Sequence, residues 1–155
     1  MNIRRNDGIT IITLVITIVL LLIISGISIT GTLRGHEKTE ETLQISELNM
    51  IQHAILERYT KAQLTNETLP GENIGMDQVQ AIISEINQFL DENERITLKG
   101  SEYKKLSKND LRSLGIKKEK DIYIVNYKTG EVINSSKKVT TSGKALYIYS
   151  KESED

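Results

Sequence analysis

The chain opens on an uninterrupted apolar run and continues as shorter segments in which apolar and polar positions alternate or recur at helical spacing. From Ile9 to Leu33 no side chain is charged. Over residues 9–29 the polar members are Thr10, Thr13, Thr17, Ser25 and Ser28. Their hydroxyls can bond the backbone carbonyl one turn back. At a rise of ~1.5 Å per residue this stretch spans about 30 Å, the hydrocarbon thickness of a bilayer. Its wealth of Ile and Val would favour a strand in water. In lipid a lone segment must satisfy its own backbone groups, so the pattern predicts a transmembrane helix over residues 9–31. Gly26, Gly31 and Gly35 are the points where that helix could melt locally or bend. The pairs Gly26/Thr30 and Gly31/Gly35, each four residues apart, would let helices approach closely. Arg4 and Arg5 precede the run and mark its cytoplasmic side, with Asp7 reducing the excess and Arg34 and Lys38 following the run.

Beyond it, Leu43, Leu48, Ile51, Ile55, Tyr59 and Ala62 recur near helical period, with Ile45 and Leu56 widening the stripe. Glu40, Glu41, Glu47, Glu57, Arg58 and Lys61 fall on the other face. The pattern predicts an amphipathic continuation over residues 32–64, closed by Pro70-Gly71. A second helix follows, with Asp77 and Gln80 as a capping pair and Val79, Ile82, Ile83, Ile86, Phe89 and Leu90 on one face, ended by Asp91-Glu92-Asn93. Residues 96–98 read as a short strand. Ser107 with Asp110 caps a helical turn that holds Leu111 and Leu114, and Gly115 stops it. Residues 121–127 and 131–134 form a hairpin about Lys128-Thr129-Gly130, and 145–149 add a strand after Ser142-Gly143. Residues 122–125 are apolar on both faces, which predicts a central strand covered on each side. The fold class is α+β: a long N-terminal helix, transmembrane then amphipathic, packed on a small antiparallel sheet that forms a head over residues 65–155.

What precedes the apolar run sharpens this picture. Residues 4–19, Arg-Arg-Asn-Asp-Gly-Ile-Thr-Ile-Ile-Thr-Leu-Val-Ile-Thr-Ile-Val, resemble the leader and helix start of type IV prepilins and type II secretion pseudopilins, in the style of Gram-positive anaerobes. The stretch 123–133, Tyr-Ile-Val-Asn-Tyr-Lys-Thr-Gly-Glu-Val-Ile, is similar to a strand-turn-strand in the heads of pilin-like proteins from clostridia and relatives. The resemblance implies a leader over residues 1–8, cut after Gly8 by a prepilin peptidase, with Ile9 as the first, methylated, mature residue. Gly8 would leave such a peptidase unobstructed, having no side chain. It also implies a structural role in an extracytoplasmic filament: a type IV pilus, a secretion pseudopilus or a DNA-uptake filament. Its partners would be membrane lipid, other pilin-like subunits, the peptidase and an assembly platform. The N-terminus would be cytoplasmic and the head extracytoplasmic, at the cell surface once assembled. Major pilins usually carry Glu at the fifth mature position, where it neutralises a neighbour's N-terminal amine. Here that assembly position is Thr13, which implies a minor, tip or pseudopilin subunit. The family's helix-breaking proline is also missing.

Composition narrows the chemistry. Lys plus Arg number 20 against 21 Asp plus Glu, a balance that gives no field to hold nucleic acid. Lys104-Lys105, Lys117-Lys118 and Lys137-Lys138 are the pieces from which a DNA-receptor surface would have to be built. Cysteine is absent, which removes disulfides, thiolate metal sites and a cysteine nucleophile. His36 and His53 stand apart without partners for catalysis, no phosphate-binding glycine loop or metal spacing occurs, and the reading is of a non-enzyme without metal or cofactor. The acidic tail at residues 152–155 has no calcium-loop pattern. Asn66-Glu67-Thr68 and Asn134-Ser135-Ser136 match the N-glycosylation triplet, which chance often supplies. The rival reading is a single-pass signal-anchored protein with a small extracytoplasmic scaffold or sensor head. A secretory signal cleaved near Ser25-Gly26-Ile27-Ser28 is the third.

Overall fold

The computed structural model describes residues 6–117 and 120–150, with backbone alone for 6–10 and 22–38. The chain divides into two compact units, Met1–Glu40 and Glu41–Asp155. The first helix, α1, runs Asn6–Thr65. It includes Gly26, Gly31 and Gly35, where the sequence suggested melting. It ends at Thr65, one residue past the expected 64 and five residues before Pro70. Asn66 takes the left-handed conformation at φ 55° and returns its N–H to Ala62 O at 2.9 Å, the αL closure that Asn tolerates as well as any non-glycine residue.

In the second unit the helix from Glu41 onward covers one face of a five-stranded antiparallel sheet. The strands are β1 (Glu72–Ile74), β2 (Tyr103–Leu106), β3 (Tyr123–Asn126), β4 (Glu131–Asn134) and β5 (Tyr147–Ile148), in the spatial order β1-β2-β3-β4-β5. β3 is central, as its two apolar faces require. Period-two alternation separates the two cores. Tyr123, Val125 and Val132 meet Leu48, Ile51 and Ile55 of α1 on one side. Ile124 and Ile133 meet Val79, Ile83 and Ile86 of α2 (Met76–Asn87) on the other. The third helix, α3 (Lys108–Ser113), opens with the capping box read from the sequence: Ser107 Oγ accepts from Asp110 N at 3.2 Å, and Asp110 Oδ2 accepts from Ser107 N at 2.7 Å. Burial alone would raise the Asp110 carboxyl, but the Ser107 hydroxyl and N–H outweigh it and hold it below the ordinary range.

Several local expectations are corrected. α2 starts one residue before Asp77 with Gly75 as its N-cap and no side-chain cap, so Asp77 sits in the first turn, where its charge favours the helix's positive end. Phe89 lies past the helix end and is 63% exposed, off the buried face. Residues 96–98 form no strand. A 3₁₀ turn at Glu92–Glu94 leads into irregular chain that Asn87 pins at Ile96, through bonds of 2.7 Å to its N–H and 3.0 Å from the Asn87 amide to its carbonyl. β1 and β2 were not foreseen.

Candidate functional site

The sequence places its processing and assembly residues at the start of α1. Gly8 and Ile9 belong to the first turns of that helix, and the Ile9 side chain lies outside the described residues. Thr13 lies in the stretch 11–21, every position of which is exposed. The large apolar side chains from Ile11 to Leu21 stand between 47% and 63% exposed, on all sides of the helix. Apolar side chains thus face outward around this part of the helix, among the described residues. Thr17 Oγ1 donates to Thr13 O at 2.7 Å, so that hydroxyl is satisfied within the helix. Among the described residues no helix is long and apolar enough to cross a membrane. The span expected over 9–31 includes positions 9, 10 and 22–31, whose side chains lie outside the described residues.

A second constellation went unnoticed in the sequence. Glu131, the first residue of β4, is completely buried. Its Oε1 accepts from Lys99 N and from Tyr147 Oη, each at 2.8 Å. Its Oε2 accepts from Tyr103 Oη at 2.7 Å and Thr129 Oγ1 at 2.6 Å. Four donors from β2, β5, the hairpin turn and the segment before β2 thus converge on one carboxyl group, which is what makes its burial tolerable. Burial, followed by the neighbouring Glu131, drives the Tyr103 and Tyr147 hydroxyls well above the ordinary tyrosine range, keeping both as donors.

Tyr103 of this cluster also lines an open groove of about 390 Å³, together with Tyr59, Leu69, Asn73, Ser101, Glu102 and Lys128. One wall follows Lys99, whose N–H is held by Glu131, and Gly100, whose N–H reaches Tyr103 Oη at 3.3 Å. A Cβ on Gly100 would lie 2.1 Å from Asn126 Nδ2, so only glycine permits the approach. Asn126 belongs to the β3–β4 turn, where its Oδ1 accepts from Lys128 N and Thr129 N at 3.0 Å each, an Asx-type turn. Tyr127, also in the lining, donates from Oη to Pro70 O at 2.8 Å.

Three of the lysines in the basic pairs have partners within the head. Lys104 Nζ bonds Asn73 Oδ1 at 2.9 Å, Lys137 meets Asp121 at 3.5 Å, and Lys138 pairs with Glu85. Lys118 and the acidic tail at 152–155 lie outside the described residues, as does the His36 side chain, whereas His53 is exposed on α1. The two glycosylation triplets separate: Asn66 is exposed, while Asn134 is buried with its amide on Asp121 and its oxygen holding Ser136 N and Lys137 N. Among the described residues no group of His, Asp and Glu is placed to hold a metal ion. Comparison of the chain with family models, with curated proteins and with solved structures finds no match.

Proposed function

We propose that the chain is a pilin-like or pseudopilin subunit: made with a leader ending at Gly8, held in the membrane by its first apolar segment, and incorporated through its helix into an extracytoplasmic filament. One observation carries the reading. A single helix, α1, is apolar on every side over residues 11–21 and one-sided over 41–65, where Leu48, Ile51 and Ile55 are buried against a sheet. The uniformly apolar part suits lipid or a bundle of like helices, and the one-sided part suits an anchor for a water-facing head. The residues ahead of position 11, Arg4 to Ile9, supply the resemblance to a prepilin leader.

The subunit is a minor one in this proposal. Thr13 cannot supply the carboxylate that would pair with a neighbour's N-terminal amine. Packing by Ile, Leu and Val remains, but such packing sets register weakly. A charge pair in a dry filament core would set it. The experiment expresses the processed chain with assembly machinery, with and without a second pilin, and examines sheared surface material by electron microscopy. Labelled chain should enter filaments only when the second pilin is present. Abundant filaments of this chain alone would overturn the minor role, and Thr13→Glu should promote such self-assembly.

A further inference from the structure

The groove in the head has two kinds of lining. Half-buried Tyr59 and Leu69 give it an apolar side, and exposed Asn73, Ser101, Glu102 and Lys128 give it a polar rim. The more buried polar groups of the lining are already engaged. Tyr103 Oη donates to Glu131 at 2.7 Å, Tyr127 Oη to Pro70 O at 2.8 Å, and Lys104 Nζ to Asn73 Oδ1 at 2.9 Å. These side chains need not rearrange to receive a ligand, which lowers the cost of binding one. On the rim, the side chains of Ser101, Glu102 and Lys128 carry no bond to a neighbour among the described residues. The charges balance as well. Glu102 answers Lys128 within the lining, and Asp110 sits within electrostatic reach of Lys104.

We propose that this groove binds a neutral saccharide, with the C–H face of a pyranose against Tyr59 and Leu69 and its hydroxyls on the rim. A pyranose carries the same division, C–H bonds on one face and hydroxyls around its edge. Its C–H bonds are attracted to the negative face of an aromatic ring. Each hydroxyl both donates and accepts, and so matches a rim that holds a carboxamide, a hydroxyl, a carboxylate and an ammonium. An anionic ligand would meet the Glu102 carboxylate, and a wholly apolar one would strand the rim's polar groups. A volume of about 390 Å³ lies within the ~300–1,000 Å³ of small-molecule sites, room for a short oligosaccharide. The site goes beyond the filament reading and does not rest on it, since it belongs to the head whichever membrane protein carries that head.

Saturation-transfer difference NMR tests the site on the full-length chain, held in a detergent without sugar headgroups and compared with empty micelles. The probes are maltotriose, cellotriose, xylotriose and tri-N-acetylchitotriose, with trithymidylate as an anionic, ring-bearing alternative. At least one neutral trisaccharide should take up saturation, most strongly at its ring C–H protons, with an affinity that added salt leaves unchanged. Tyr59→Ala and Glu102→Ala should each weaken that binding roughly tenfold. Glu102→Ala removes an exposed side chain and leaves both cores intact, so it decides the matter where Tyr59→Ala fails to fold. Phe89→Ala, which removes an exposed aromatic outside the groove lining, should bind as the unaltered chain does. Transfer to none of the four saccharides, transfer that survives Glu102→Ala or falls equally with Phe89→Ala, or binding confined to trithymidylate and abolished by salt would overturn the proposal.

Discussion

Tyr103 and Glu131 lie 28 positions apart in sequence, and the tyrosine hydroxyl meets the carboxyl at 2.7 Å inside the head. Their bond ties β2 to β4 across the intervening β3. The hydroxyls of Tyr103 and Thr129 can each turn from donor to acceptor, whereas Lys99 N–H cannot. Glu131→Gln should therefore be tolerated within about 1 kcal/mol, its amide nitrogen facing the two hydroxyls and its oxygen keeping Lys99 and Tyr147. Glu131→Leu leaves two buried donors, Tyr103 Oη and Thr129 Oγ1, and two part-buried ones without their acceptor and should cost about 2–4 kcal/mol. Urea denaturation of the two variants checks the contrast, and equal losses would contradict it.

Gly100→Ala tests the same cluster from the loop side. The added methyl would meet Asn126 Nδ2 at 2.1 Å, and Asn126 is held in place through its oxygen by Lys128 and Thr129. The expected loss is about 1–3 kcal/mol, with faster amide exchange at Lys99 and Gly100. Unchanged exchange at both amides would show that the loop is not held by this contact.

These two predictions mark where the sequence was readable and where it was not. The hairpin, the α3 capping box and the central position of β3 all rest on neighbours within a few residues, and local pattern carried them. Glu131 is different. In Glu131-Val132-Ile133-Asn134 a charged first residue looks like a solvated strand end. Its burial depends on Lys99, Tyr103 and Tyr147, which only the sheet brings together. β2 was hidden because Tyr103-Lys104-Lys105-Leu106 offers one apolar residue to each core and puts lysines between them. Periodicity puts Phe89 on the buried face of α2 because it does not say where a helix stops, and α2 stops at Asn87.

The unit beginning at Glu41 contains the helix half, the sheet and both cores. A fragment of residues 41–155 should fold without detergent and unfold in one cooperative step, since its two apolar layers are complete. Within it, Ile124→Asp should abolish folding, because an unpaired carboxylate in a closed core costs several kcal/mol. A broad melt of the unaltered fragment, by circular dichroism, would contradict its independence.

Alkaline pH should unfold the head. Tyr103, Tyr123, Tyr127 and Tyr147 are all driven above the ordinary tyrosine range, chiefly by burial. An unfolded tyrosine loses its proton near pH ~10, while these four keep theirs in the fold. Their contribution to stability is therefore whole below pH ~10 and is lost as pH rises through the folded values. Circular dichroism and tyrosinate absorbance followed together should show ionisation of these residues coinciding with unfolding. Complete tyrosinate absorbance at about pH 10 with a native spectrum would contradict the burial of these hydroxyls.

The central claim is that the residues before the apolar run are a prepilin leader. The most direct measurement is the mass of the membrane-associated chain after co-expression with a prepilin peptidase, with peptide sequencing of its N-terminus. The account predicts a mature chain beginning at Ile9, with the cut abolished by Gly8→Leu because a bulky side chain would obstruct the peptidase there. An intact start at Met1, as a plain signal-anchored protein would give, or a cut near Ser28, would contradict it.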